Sequence, residues 1–120
     1  MEVDQAPSAE AATPPVNVYV GGGQLSVAVP LPGAHPDHVS IQLAPDRLEV
    51  AAECKYPQES QGYLRRDWQV GSWRLDLSLP RGVEPSAARA TLNLSVLVVM
   101  APLSDVGGPA RGIAVSASSD

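Results

Sequence analysis

Few residues in this chain have the type and spacing that chemistry requires. His35 and His38 stand three apart and raise the possibility of a metal pair. Structural zinc takes four ligands, and no cysteine or third histidine lies near them in sequence, so they read as solvated rings at a turn. The single cysteine, Cys54, could in principle be a nucleophile or a redox thiol. No histidine stands beside it in sequence, and the plainer reading is a small strand-end residue. No serine sits in a Gly-x-Ser-x-Gly elbow, so a hydrolase triad has no support. Gly21-Gly22-Gly23 lacks the Lys-Ser/Thr and the helix of a phosphate loop, and reads as a hairpin turn. Arg65-Arg66 with Trp68 makes a small basic-aromatic cluster, but Asp67 interrupts it in an acidic chain, which disfavours RNA contact. No catalytic residue, metal ligand or cofactor is assigned, and the chain is expected not to be an enzyme.

Composition points the same way. At 120 residues the chain suffices for one domain. Its hydrophobic content is 44%, its aromatic content only 4%, and phenylalanine is absent. The core must be built from Val, Leu, Ile and Ala, which favours a thin sandwich of β-branched strands. The net charge is -5 and no long basic run appears, so a nucleic-acid partner would be repelled. A lone thiol cannot form an internal disulfide, so nothing points to an oxidising compartment. The start, Met1-Glu2-Val3-Asp4-Gln5, has neither the basic residues nor the apolar stretch of a signal peptide. The longest apolar run, Leu94 to Leu103, is broken by Ser95 and Pro102 and is too short to cross a bilayer as a helix. A cytoplasmic protein with no membrane partner is expected.

The elements that must position any site follow from a period of two. Residues 1–15 are small, acidic and Pro-containing and read as a flexible arm. Val16, Val18 and Val20 then alternate with Asn17 and Tyr19, and Leu25, Val27, Val29 and Leu31 alternate beyond the glycine turn. Val39, Ile41 and Leu43 share a face, Leu48, Val50 and Ala52 share another, and Pro45-Asp46 turns the chain between them. A polar loop holding a short extended piece, Tyr63 to Val70, precedes Trp73, Leu75, Leu77 and Leu79. Ala88, Ala90 and Leu92 follow, then Val96, Val98 and Met100. Short strands with turns between them, and no helix-length pattern, predict an all-β antiparallel sandwich of immunoglobulin-like type. Val96 to Met100 is apolar on both faces, as in a strand buried on both sides or one whose second face meets another chain. From Ser104 to Asp120 the tail is rich in Gly, Ser and Ala and reads as flexible, with an island at Ile113-Ala114-Val115. Ile113 and Val115 would point the same way from an extended segment.

Tyr63-Leu64-Arg65-Arg66-Asp67, Gly71-Ser72-Trp73, Leu79-Pro80, Ala90 through Val96-Leu97, and Pro102 together resemble the α-crystallin domain of bacterial small heat-shock proteins. Val29-Pro30-Leu31-Pro32-Gly33, followed by Asp37-His38-Val39, is similar to that family's Leu-Pro-Gly turn and the strand after it. The resemblance covers residues 16–103; order and spacing carry it. It implies a homodimer formed by exchange of a strand, here Tyr63 to Asp67. A long polar loop with an extended piece fits that layout, because exchange gives its backbone groups a partner. The resemblance further implies that Ile113 and Val115 anchor the tail in an apolar groove of another dimer, walled by Val39, Ile41, Leu43, Ala90 and Leu92. Strand addition with two side chains in two pockets is the physics of such a contact.

Several positions depart from the family pattern. Leu94-Ser95 replaces the usual Asn-Gly, so the turn either avoids a positive φ or is strained. Trp73 replaces a Phe, Leu103 replaces a Lys, and Leu75 stands where an Arg is usual, with Arg74 one place early. One place in a strand means the opposite face, which puts a dimer ion pair there in doubt. The first fifteen residues hold no aromatic, Leu or Ile, which suggests a dimer or small oligomer, or a mixed assembly with a paralogue. The implied function is ATP-independent holding of unfolding proteins. The alternatives are an adaptor module similar to CS-domain co-chaperones and a co-assembling structural subunit.

Overall fold

A computed structural model of the chain describes residues 12–53, 62–65, 67 and 71–117. The alternating segments form strands: β1 (Asn17–Gly21), β2 (Gln24–Pro30), β3 (Val39–Ala44), β4 (Arg47–Glu53), β5 (Ser72–Ser78), β6 (Arg89–Asn93) and β7 (Val96–Pro102). Two short tail strands follow, β8 (Arg111–Gly112) and β9 (Val115–Ala117). They make two sheets, one in the order β1-β2-β7-β6-β9 and the other β5-β4-β3-β8. Every pairing is antiparallel except β6 with β9. The two sheets face each other as an all-β sandwich, the class expected from the alternation.

The period of two decides which side chains meet between the sheets. Leu25, Val27 and Val29 of β2 and Leu97, Val99 and Ala101 of β7 point inward, against Ile41, Leu43, Leu48, Val50, Ala52, Trp73 and Leu75 of the other sheet. Leu31, Leu43, Leu48 and Leu97 are the largest side chains wholly removed from solvent. Arg74 is exposed and Leu75 buried, so the early arginine does face outward, away from the core. Trp73 is buried, and its indole Nε1 has no hydrogen-bond partner.

Two hairpins turn through two residues with positive φ, the geometry that matches strand twist. Gly22 and Gly23, at 62° and 78°, do so at no steric cost. Leu94 and Ser95, at 54° and 66°, adopt the same turn between β6 and β7 without glycine. Of the two outcomes left open by the missing Asn-Gly, the structure shows the strained one.

Terminal segments cross both seams between the sheets. Ala12 accepts from the Arg74 N–H at 2.8 Å and donates to the Ser72 carbonyl at 3.0 Å, so the chain leads from the edge of β5 over a buried Pro14 into β1. The segment read as a free arm is thus tied down from Ala12 onward. At the other seam the tail leaves β7 beside Gly82, whose carbonyl accepts from Ser104 N–H at 2.9 Å. A Cβ on Gly82 would lie 2.5 Å from the Ser104 carbonyl oxygen, so this approach requires glycine.

Candidate functional site

The second seam is the candidate site. β3 flanks one sheet and β6 the other, and between them the inward faces leave a slot. Ile41 and Leu43 of β3 and Ala90 and Leu92 of β6 line it from below, all buried, and Val39 is half-buried at its end. The alternation of each strand puts these five side chains on the core face, as the sequence pattern implies.

The tail lies in this slot and pairs with both walls. β8 adds antiparallel to β3, with Leu43 opposite Arg111 and Gln42 opposite Gly112. The Ile113 N–H then donates to the Ile41 carbonyl at 3.1 Å. β9 adds parallel to β6, with Ala90 opposite Val115, Thr91 opposite Ser116 and Leu92 opposite Ala117. Ile113 and Val115 are half-buried and pack against the core. A single extended segment thereby bridges the two sheets, its backbone satisfying open edges and its branched side chains filling the seam. The five wall residues and the two anchors named from the sequence come together here. The resemblance implied another dimer's groove; in this chain the tail occupies its own.

Two features of the seat were not read from the sequence. Gly112 lies beside Gln42, where a Cβ would make ordinary contact with the Gln42 amide at 3.4 Å. Arg111 brings a positive charge towards Glu84, which caps the 3₁₀ turn Pro85–Ala87. The Glu84 carboxyl is held below its ordinary range first by the Ser86 hydroxyl at 2.6 Å, then by the Ser86 N–H, with a smaller contribution from Arg111. A cation two residues before an Ile-x-Val island is the sequence signal that could have revealed the Arg111 approach.

Full burial of two such side chains contributes about 3–6 kcal/mol. Half-burial leaves roughly half of that, and ordering the linker offsets more. The contact is therefore of the reversible kind.

The expected exchange segment lies apart from this groove. Tyr63, Leu64, Arg65 and Asp67 are exposed and none belongs to a strand; Arg66 lies outside the described residues. Leu64 is wholly exposed, and Arg65 pairs with Asp67 at 3.1 Å. β1 ends the five-stranded sheet among the described residues, with Tyr19 and Val20 exposed. His35 and His38 are exposed with ring centres 5.9 Å apart, and the His35 Nδ1 accepts from the Asp37 N–H. No group of three or more metal-ligating side chains occurs among the described residues, and Cys54 lies outside them.

A two-layer sandwich whose edge groove accepts an extended peptide defines the α-crystallin class of protein. The sequence matches the Hsp20/alpha crystallin family over residues 18–116, and the chain belongs to that family, the small heat-shock proteins. Membership carries a chaperone role in general terms. Among solved structures, hspA from Xanthomonas axonopodis superposes with a TM-score of 0.70 at 19% identity, covering 82% of this chain and 100% of that one. Heat shock protein 16.0 from Schizosaccharomyces pombe gives 0.68 at 20% identity, over 81% and 71%. A small heat-shock protein from Xylella fastidiosa, described as having a distinct high order structure, gives 0.65 at 24% identity, over 82% and 92%. At these identities the likeness is one of fold. No curated protein sequence matches the chain significantly.

Proposed function

We propose that this chain is a nucleotide-independent holdase that captures exposed apolar segments of unfolding proteins in the β3–β6 seam. One observation carries this: the seam already holds an extended segment, by strand addition to Gln42 and Leu43 and by seating Ile113 and Val115. A client segment with branched side chains two apart meets the same backbone edges and the same slot. Burial supplies the energy, so no hydrolysis step or cofactor enters. The tail acts as an internal competitor that a client must displace. The exposed Leu64 segment and β1, which ends its sheet among the described residues, support a homodimer formed by exchange of residues 63–67. No helix among the described residues is long and apolar enough to cross a membrane, and the proposed setting is the cytoplasm.

The test is heat aggregation of a model client, followed by light scattering without nucleotide, for the full chain and for a chain ending at Leu103. The full chain is expected to suppress scattering at a few-fold excess, and the truncated chain to suppress it at a lower ratio. Absence of suppression by either chain at ten-fold excess would reject the holdase and favour the adaptor or co-assembling reading.

A further inference from the structure

The two outer faces of the sandwich differ in kind. The outer face of the β5-β4-β3 sheet carries Arg47, Glu49, Glu53, Arg74 and Asp76. Among the described residues, the outer face of the β1-β2-β7-β6 sheet carries no acidic residue and one cation. Three of its four cross-strand rows run Tyr19–Ser26–Met100–Arg89, then Asn17–Ala28–Val98–Thr91, then Pro30–Val96–Asn93, and the fourth, Gly21–Gln24–Pro102, lies at the hairpin end. Val96 and Tyr19 are exposed, and Ala28, Val98 and Met100 are half-buried. This is the second apolar face of Val96 to Met100, and neither the core nor the tail groove accounts for it.

We propose that this face binds the same face of a second copy of the chain, sheet against sheet. Charge selects the occupant. The chain carries 13 acidic residues and a net charge of -5, so two copies repel over most orientations. This face lacks carboxylates, so two copies can meet on it without setting like charges against each other. Shape selects a folded partner, because a sheet face packs best on another sheet about 10 Å away. A two-fold axis along the strands, midway between β2 and β7, sets each row against its own reverse. Ala28 then faces the second copy's Val98, while Ser26, buried between its neighbours, stays beneath the contact. The one charge on the face, Arg89, comes over the second copy's Tyr19 ring, a cation–π placement, twice per contact. Four strands and three rows give a footprint of roughly 300–400 Å² a side. That is below what a stable dimer needs, so the contact is weak and adds to whatever assembly strand exchange makes.

The experiment is sedimentation of the full chain across a hundred-fold range of concentration, alongside Val98→Asp and Arg89→Glu. The weight-average mass of the unaltered chain should rise toward twice its low-concentration value. Both variants should hold the low-concentration mass until at least ten-fold higher concentration, with unchanged circular dichroism. Arg89 is exposed at the rim of the face, so its variant tests the contact even if Val98→Asp folds poorly. A mass independent of concentration in the unaltered chain overturns the proposal, as does association of Arg89→Glu equal to it. Loss of client holding in Val98→Asp with no change in mass would assign the face to unfolded chains instead, and also overturns it.

Discussion

Leu94 and Ser95 show what one missing residue type does. A type I′ turn needs positive φ at both central positions, and a side chain with a Cβ in that region costs about 1–2 kcal/mol. Leu94 is also almost fully exposed, so its side chain gains nothing from burial in return. The Ser95 carbonyl accepts from the Leu31 N–H at 2.8 Å, which anchors the turn to the buried Leu31 and holds it in place. Replacing the pair by Leu94→Asn with Ser95→Gly keeps that backbone bond and removes the strain. The double variant should gain about 1–2 kcal/mol and melt roughly 4–12 °C higher in a thermal denaturation followed by circular dichroism. An unchanged melting point would show that the turn carries no strain in solution.

At the scale of elements, the β4–β5 ladder depends on one arginine. Glu49 lies directly opposite Asp76, a like-charge pair that by itself opposes pairing. Arg47 donates to both Asp76 carboxylate oxygens and stands 3.5 Å from Glu49, so it offsets both charges. The Asp76 carboxyl is accordingly held below its ordinary range, chiefly by the hydrogen bond from Arg47. A lowered carboxyl contributes stability above its unfolded pKa, and the contribution is lost as the pH falls through the lowered value. Arg47→Ala should therefore melt a few degrees lower at neutral pH, on the order of 2–5 °C. The gap to the unaltered chain should close as the pH falls through the lowered value of Asp76. A gap that stays constant with pH would remove the electrostatic account.

The molecule as a whole is a sandwich stapled along both seams, at one side by the segment from Ala12 and at the other by the tail. These staples cover strand edges that would otherwise offer unpaired N–H and C=O groups to other chains. Ending the chain at Leu103 uncovers the Ile41, Leu43, Ala90 and Leu92 slot while leaving the core strands whole. The truncated chain should stay folded, melt roughly 4–10 °C lower for the loss of about 1–2 kcal/mol net, and bind more of an apolar-surface dye. Unchanged dye binding would mean that the tail spends little time in its own seam.

Alternation alone determined much of this protein. Each of Leu25, Val27 and Val29, and Ile41 and Leu43, is buried where a period of two places it, because a strand cannot turn one side chain without turning the next. On β7, apolar on both faces, the set read as alternating, Val96, Val98 and Met100, is the outer one, and Leu97 and Val99 are buried instead. The wall and anchor residues came from the family resemblance; alternation adds only that each set shares one face of its strand. What the sequence could not settle was pairing between distant segments. Nothing local says that β9 runs parallel to β6, that Ala12 closes the β5 edge, or that Ile113 meets Ile41 of its own chain. Those contacts join residues far apart in the chain, and only the packing of the two sheets brings their edges within reach.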